Sequence, residues 1–126
     1  MDYATYIINT TATISGVNAW TSIQIPFNSN GQFQTNNTNN FEKNGNYIKS
    51  KFKGKVLIMR QFSVDFKGEV DIIDEYGWIN ALETHQNYAM TIKDVNVNDN
   101  IDFIFSGGMN GNLQIYGARL IVIRIA

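Results

Sequence analysis

"YGARLIVIRIA", residues Tyr116 to Ala126, closes the chain and poses the question on which the fold turns. β-Branched residues dominate it and nothing in it breaks a strand, so it reads as β-structure. Successive strand residues point to opposite faces. Ile115, Ile121, Ile123 and Ile125 fall on one face, and Tyr116, Ala118, Leu120 and Val122 on the other. Both faces are apolar. A strand beside a single core needs only one such face, so the second asks for a cover.

The rest of the chain repeats the two-residue alternation, and helical periodicity is nearly absent. In "RQFSVDF", Phe62, Val64 and Phe66 face one way and Gln61, Ser63 and Asp65 the other, the pattern of a half-buried antiparallel strand. "VLIM" extends that strand back to about Lys55. Further strands are expected at Tyr3 to Ile14, Trp20 to Phe27, Tyr47 to Lys51, Val70 to Ile73, Trp78 to Glu83, Tyr88 to Val95, Ile101 to Phe105 and Leu113 to Ile125. Turn-forming clusters such as "NSNG", "KNG", "NVNDN" and "GGMNG" separate them. Short strands at this spacing predict an all-β sandwich or barrel. The 126 residues suit one domain spanning 1–126.

Composition narrows the function. Hydrophobic residues make up 44% of the chain, which supports a folded core. Ten basic residues against eleven acidic ones argue against a nucleic-acid partner held by phosphate neutralisation. The absence of cysteine excludes a disulfide framework and a thiolate metal site. The opening "MDYATYIINT" lacks the basic and apolar pattern of a secretory leader. No stretch approaches the roughly 18 apolar residues of a membrane helix, so membrane insertion is not expected.

Catalytic signals are weak. His85 is the only histidine, no nucleophile elbow accompanies it, and it reads as a loop residue. Asp94, Asn96 and Asn98 have the spacing that opens a calcium loop. That pattern fails at Asp99, where glycine belongs, and at Phe105, where glutamate belongs, so a tight turn is the expectation. "GGMNG", Gly107 to Gly111, lacks the Lys-Ser/Thr end of a phosphate loop and reads as a hairpin turn. Asn9-Thr10-Thr11 and Asn36-Asn37-Thr38 match the glycosylation acceptor pattern, as an Asn-rich chain does by chance. Asp71, Asp74 and Glu75 read as a solvated turn. Trp20 and Trp78 read as core or interface anchors before sugar-stacking platforms. No catalytic residue, metal or cofactor is expected.

Three stretches carry a resemblance. "WTSIQIPFN" (Trp20 to Asn28) is similar to an early strand of the complement globular-head and tumour-necrosis-factor jelly-roll superfamily. "NGNYIKSKFKGKVLIMRQFSV" (Asn44 to Val64) resembles its Gly-led short strand and Gly-x-aromatic-x-aromatic strand. Gly45 and Gly54 stand in the matching places, with Val56 and Ile58 where aromatics are usual. "VNVNDNIDFIF" (Val95 to Phe105) resembles the Gly-Asp-x-Val turn and its following strand, and "LQIYGARLIVIRI" fits the final strand. The resemblance implies an antiparallel jelly-roll sandwich of about ten strands that assembles as a homotrimer. It also implies that neighbouring copies cover the outer face of the sheet holding the last strand.

The expectation is therefore a non-enzymatic virion protein, a phage fibre, baseplate or head-decoration trimer. Its other partners would be virion proteins and a host-surface glycan, and its location the virion or the extracellular space. A secreted lectin or adhesin module is the alternative. "GEVDIIDEYG" (Gly68 to Gly77) is loosely similar to a segment of trimeric dUTP pyrophosphatases, but their Arg-Ser-Ser step and Gly-rich C-terminal arm are missing. The expected trimer interface is Tyr116, Ala118, Leu120, Val122 and Arg124, with Ile121, Ile123 and Ile125 in the core. A bulge at Gly117 would shift the alternation before it and exchange the faces. The expected ligand-contacting loop residues are Asn36, Asn37, Asn39 and Trp78.

Overall fold

A strand with an apolar residue at every second position settles with that side inward, and residues 56–64 keep this phase, with Arg60 as the one charged member of the inward set. Every second residue from Val56 to Val64 is buried. In the computed structural model, which describes residues 1–72, 79–81 and 87–126, this strand lies near the middle of a six-stranded antiparallel sheet. The elements in chain order are β1 (Tyr3–Ile8), β2 (Ala12–Val17), β3 (Ile23–Gln24), α1 (Phe27–Asn30), β4 (Gln32–Thr35), β5 (Phe41–Asn44) and β6 (Tyr47–Ser50). They continue with β7 (Gly54–Val64), β8 (Gly68–Ile72), β9 (Ile79–Ala81), β10 (Asn87–Val95), β11 (Asn100–Ile101), β12 (Ile104–Gly107) and β13 (Gly111–Arg124).

The large sheet runs β10-β7-β13-β1-β4, with β2 also paired to β13. Two smaller sheets, β3-β12-β8-β9 and β11-β6-β5, supply the opposing layer. Aromatic rings bridge the layers. Phe62 of β7 meets Phe103 edge-on at 5.4 Å and Phe105 at 5.1 Å, and Tyr6 of β1 stacks on Phe27 at 4.9 Å. Burial of such rings dominates core energetics, and their edge-to-face geometry adds to it.

One charged residue belongs to this interior. Arg60 occupies a core position of β7 and is 1% exposed. Its Nε donates to the Asp102 carbonyl at 2.8 Å, and its guanidinium lies 3.8 Å from the Asp102 carboxylate. A buried charge is tolerated only when paired and hydrogen-bonded. Arg60 thereby ties the centre of the large sheet to the corner between β11 and β12.

Several boundaries differ from those expected. The strand read from Tyr3 to Ile14 is two strands, β1 and β2, both paired to β13. Of Trp20 to Phe27 only Ile23–Gln24 is strand, and Phe27 opens the short helix. "GGMNG" is not a hairpin. It joins β12 to β13, which lie in different sheets, so it is a corner of the sandwich. Alternation marks a strand but not which sheet its neighbour joins.

The last strand requires the main correction. β13 pairs with β7 in register from Gly117 to Arg124, but the register slips between Ile115 and Gly117. The extra residue is a β-bulge, and it exchanges the faces. Leu113 and Ile115 point inward before it, and Ala118, Leu120 and Val122 point inward after it, at 0–2% exposure. Ala118, Leu120 and Val122 therefore pack within the chain's own core and are not available to a neighbouring copy. Arg119, Ile121 and Ile123 take the outer face. Arg124 is half-buried, its guanidinium 4.1 Å from the Phe52 ring centroid and bonded to Asn40 Oδ1 at 3.0 Å. Leu120→Ala should lower unfolding free energy by about 2–5 kcal/mol, the cost of a cavity in a packed core. Urea denaturation followed by far-UV circular dichroism measures it.

Candidate functional site

Residues paired across neighbouring strands share a face, so the ladder registers place the outward side chains in rows. The first row reads Ile92, Leu57, Ile123 and Tyr3 across β10, β7, β13 and β1. The second reads Met90, Met59, Ile121, Thr5 and Gln34, reaching β4. The third reads Tyr88, Gln61, Arg119, Ile7 and Gln32. The β10-β7-β13 side of this face is apolar in its first two rows, while the β4 edge is polar.

Ile92 is 62% exposed, Tyr88 59% and Met90 55%. Contiguous exposed apolar surface on a soluble fold marks an interaction site. The alternation Tyr88-x-Met90-x-Ile92 was a visible signal for it. An edge strand with its large residues on one side and Ala89, Thr91 and Lys93 on the other does not show which side the core takes. Of the residues expected at an interface, Tyr116 lies at the bulge and remains 39% exposed.

At the bulge the sheet opens into a cavity of about 240 Å³. Gln61, Ser63, Tyr116, Arg119 and Asn9 contribute polar atoms to its lining. It sits where the chain leaves β1 and has not yet joined β2. Gly117 lies close to that break, since a Cβ on it would stand 3.4 Å from the Ile8 carbonyl oxygen.

The Asn-rich loop after β4 is organised rather than left to solvent. Asn36 Oδ1 accepts from Tyr3 N at 2.8 Å, and its Nδ2 donates to the Met1 carbonyl at 2.7 Å. Asn37 Oδ1 accepts from Asn39 N at 2.9 Å, closing a local turn. Asn40 Nδ2 donates to Asp2 at 2.7 Å. The side chains of Asn36 and Asn40 thus hold the loop against the start of β1. Asn39 is exposed. Trp78 and His85 lie outside the described residues.

The acidic turn after β10 behaves as its sequence suggests. Asn96 N donates to Asp99 Oδ2 at 2.8 Å, and Asn98 adopts a left-handed φ of 74°. Among the described residues no cluster of three or more carboxylates or histidines forms a metal site. Asp71 lies in β8, and the rest of its acidic group is outside the described residues.

No known protein family matches the chain, and no curated protein is similar to it in sequence. Solved structures do share its fold. The PRD1 vertex protein P5 superposes with a TM-score of 0.66 over 99% of this chain and 97% of its own, at 14% identity. Murine APRIL at pH 5.0 gives 0.58 over 99% and 100%, at 10% identity. Eiger TNF from S. frugiperda gives 0.51 over 99% and 93%, at 9% identity. The fold is the TNF-like jelly roll.

Asn36→Ala removes two links between the loop and the first residues. The Tyr3 amide should then exchange with deuterium several-fold faster while amides of β7 keep their protection. Residue-resolved hydrogen exchange reads both.

Proposed function

We propose that this chain is a phage virion protein without catalytic activity, a homotrimer of the fibre, baseplate or head-decoration kind. Its exposed loops contact the host surface, with a surface glycan as ligand. The observation that carries the reading is the outer face of the large sheet. The inner face already fills the core, yet the outer face presents two apolar rows. Burying one large aliphatic or aromatic side chain contributes about 1.5–3 kcal/mol, so water is a poor permanent neighbour for this surface.

A closed ring of three copies accounts for the gradient across the face. Each copy meets two neighbours around the axis through its apolar β10-β7-β13 side, and the polar β4 edge stays at the rim. Such a ring is heterologous, with different patches of one subunit meeting across each contact, and it closes without leaving an open end. The shared fold of the PRD1 vertex protein P5 supports a virion setting.

The expected particle in solution has three times the 14.3 kDa chain mass at micromolar concentration, by light scattering behind size exclusion. Ile121→Asp should yield a folded monomer with the same far-UV spectrum. Leu120→Asp should abolish folding, because it buries a charge without a partner. A wild-type monomer, or a trimer that survives Ile121→Asp together with Met59→Asp, overturns the assembly. Absence of the protein from purified particles of the phage that encodes it overturns the virion role.

A further inference from the structure

We propose that the turn bearing Trp20 is a stacking platform for a neutral hexopyranose. This inference rests on the reading of the chain as a host-surface-binding protein and assigns it a site and a ligand class. Trp20 is 48% exposed, although an indole is usually drawn well into a core. Its backbone is left-handed, with φ of 59°, in a region that side-chain-bearing residues rarely adopt. A glycine or asparagine would fit that position with less strain. Strain of this kind persists where the surrounding structure enforces it, and it gathers at ligand sites.

The surroundings do enforce it. Trp20 N donates to the Gly107 carbonyl at 2.8 Å, pinning the turn to the end of β12. Asn110 Oδ1 accepts from Ala19 N at 3.0 Å, pinning it to the corner before β13. The Asn18 carbonyl accepts from Thr21 N at 3.2 Å and from Thr21 Oγ1 at 2.7 Å, closing the turn on itself. The backbone that carries the ring is therefore set in place before any ligand arrives, which lowers the entropic cost of binding.

The chemistry around the ring selects the ligand. A Cβ at Gly108 would stand 3.5–3.9 Å from indole atoms Cζ2, Cε2 and Nε1. The Gly108 backbone lies against that edge of the ring and adds no side chain of its own there. Asn18, Thr21, Ser22 and Asn110 are exposed beside it and carry amides and hydroxyls. Residues 18–22 and 107–111 include no charged side chain. A pyranose offers a face of weakly positive C–H groups rimmed by hydroxyls. The C–H face suits the electron-rich indole, and the hydroxyls suit the amides. The lack of a cation in the turn disfavours acidic sugars. The turn lies at the opposite end of β13 from Met1 and Ala126, so an anchor at that end would leave it facing outward.

The test uses the full chain as the trimer and a panel of maltohexaose, cellohexaose and mannohexaose, with hexaguluronate as the acidic control. Indole Nε1–H resonances are followed during titration, and affinities are measured by calorimetry. At least one neutral hexaose should shift the Trp20 resonance. Trp20→Ala should weaken that hexaose at least tenfold, and Trp20→Tyr should retain part of the affinity. Trp20→Gly fits the left-handed turn, so it should keep the mass and far-UV spectrum of the wild type and still lose binding. No response to any neutral hexaose overturns the proposal, as does tighter binding of hexaguluronate. If Trp20→Gly binds like the wild type, sugar is held elsewhere. The platform then falls while the virion reading, tested by mass and particle content, stands.

Discussion

One extra residue in the last strand decides what the rest of the molecule does with its apolar surface. With Ile115 opposite Val64 and Gly117 opposite Ser63, Tyr116 has no partner in β7. The slip lets Leu113 and Ile115 share a core with Ala118, Leu120 and Val122, although their numbers differ in parity. Without it, one half of β13 would send its core residues into solvent, because a one-residue shift turns every side chain over. Beside the slip, on the other edge of β13, the pairing passes from β1 to β2. Together these open the polar cavity at Arg119. Core, outer face and cavity are set by one irregularity.

Much of this was legible in the sequence, for a definable reason. Residues 61–66 alternate cleanly, and of their inward set Phe62 and Val64 are buried, while Phe66, past the end of β7, is partly buried against the core. β13 could not be read that way because both of its faces are apolar. Alternation then carries no sign, and only the pairing of Arg60 with Leu120 and of Ile58 with Val122 shows which side meets the core. Arg60 was missed because it is charged, although it stands in phase with Ile58 and Phe62 and the phase pointed inward. β4 and β5 were missed because polar edge strands such as "QFQT" and "FEKN" offer little apolar contrast. The Asn-rich loop looked like open ligand surface, yet Asn36 and Asn37 spend their side chains on backbone groups nearby. Composition cannot tell an asparagine that meets a ligand from one that closes a turn.

Polar groups in this fold have distinct tasks by location. Inside, Arg60 and Asp102 join the two layers where an apolar contact would not fix the angle between them. At the end near Met1, asparagines satisfy backbone donors and acceptors that the sheet leaves unpaired. At the opposite end, Asn110 and the Gly107 carbonyl hold Trp20 in a conformation it would not choose alone. The third case differs in kind, since there the bonds maintain strain rather than relieve it.

β13 also has a mechanical meaning. Its 14 residues span about 45 Å from the Trp20 turn to the Asn-rich loop. β7 lies along one side of it, and β1 and β2 along the other. The ladder hydrogen bonds run across the strand axis, so a pull between the two ends loads them in shear, all at once. A strand drawn from one edge would instead lose them one after another. Force arriving at one end of the domain is thus carried to the other along its longest strand.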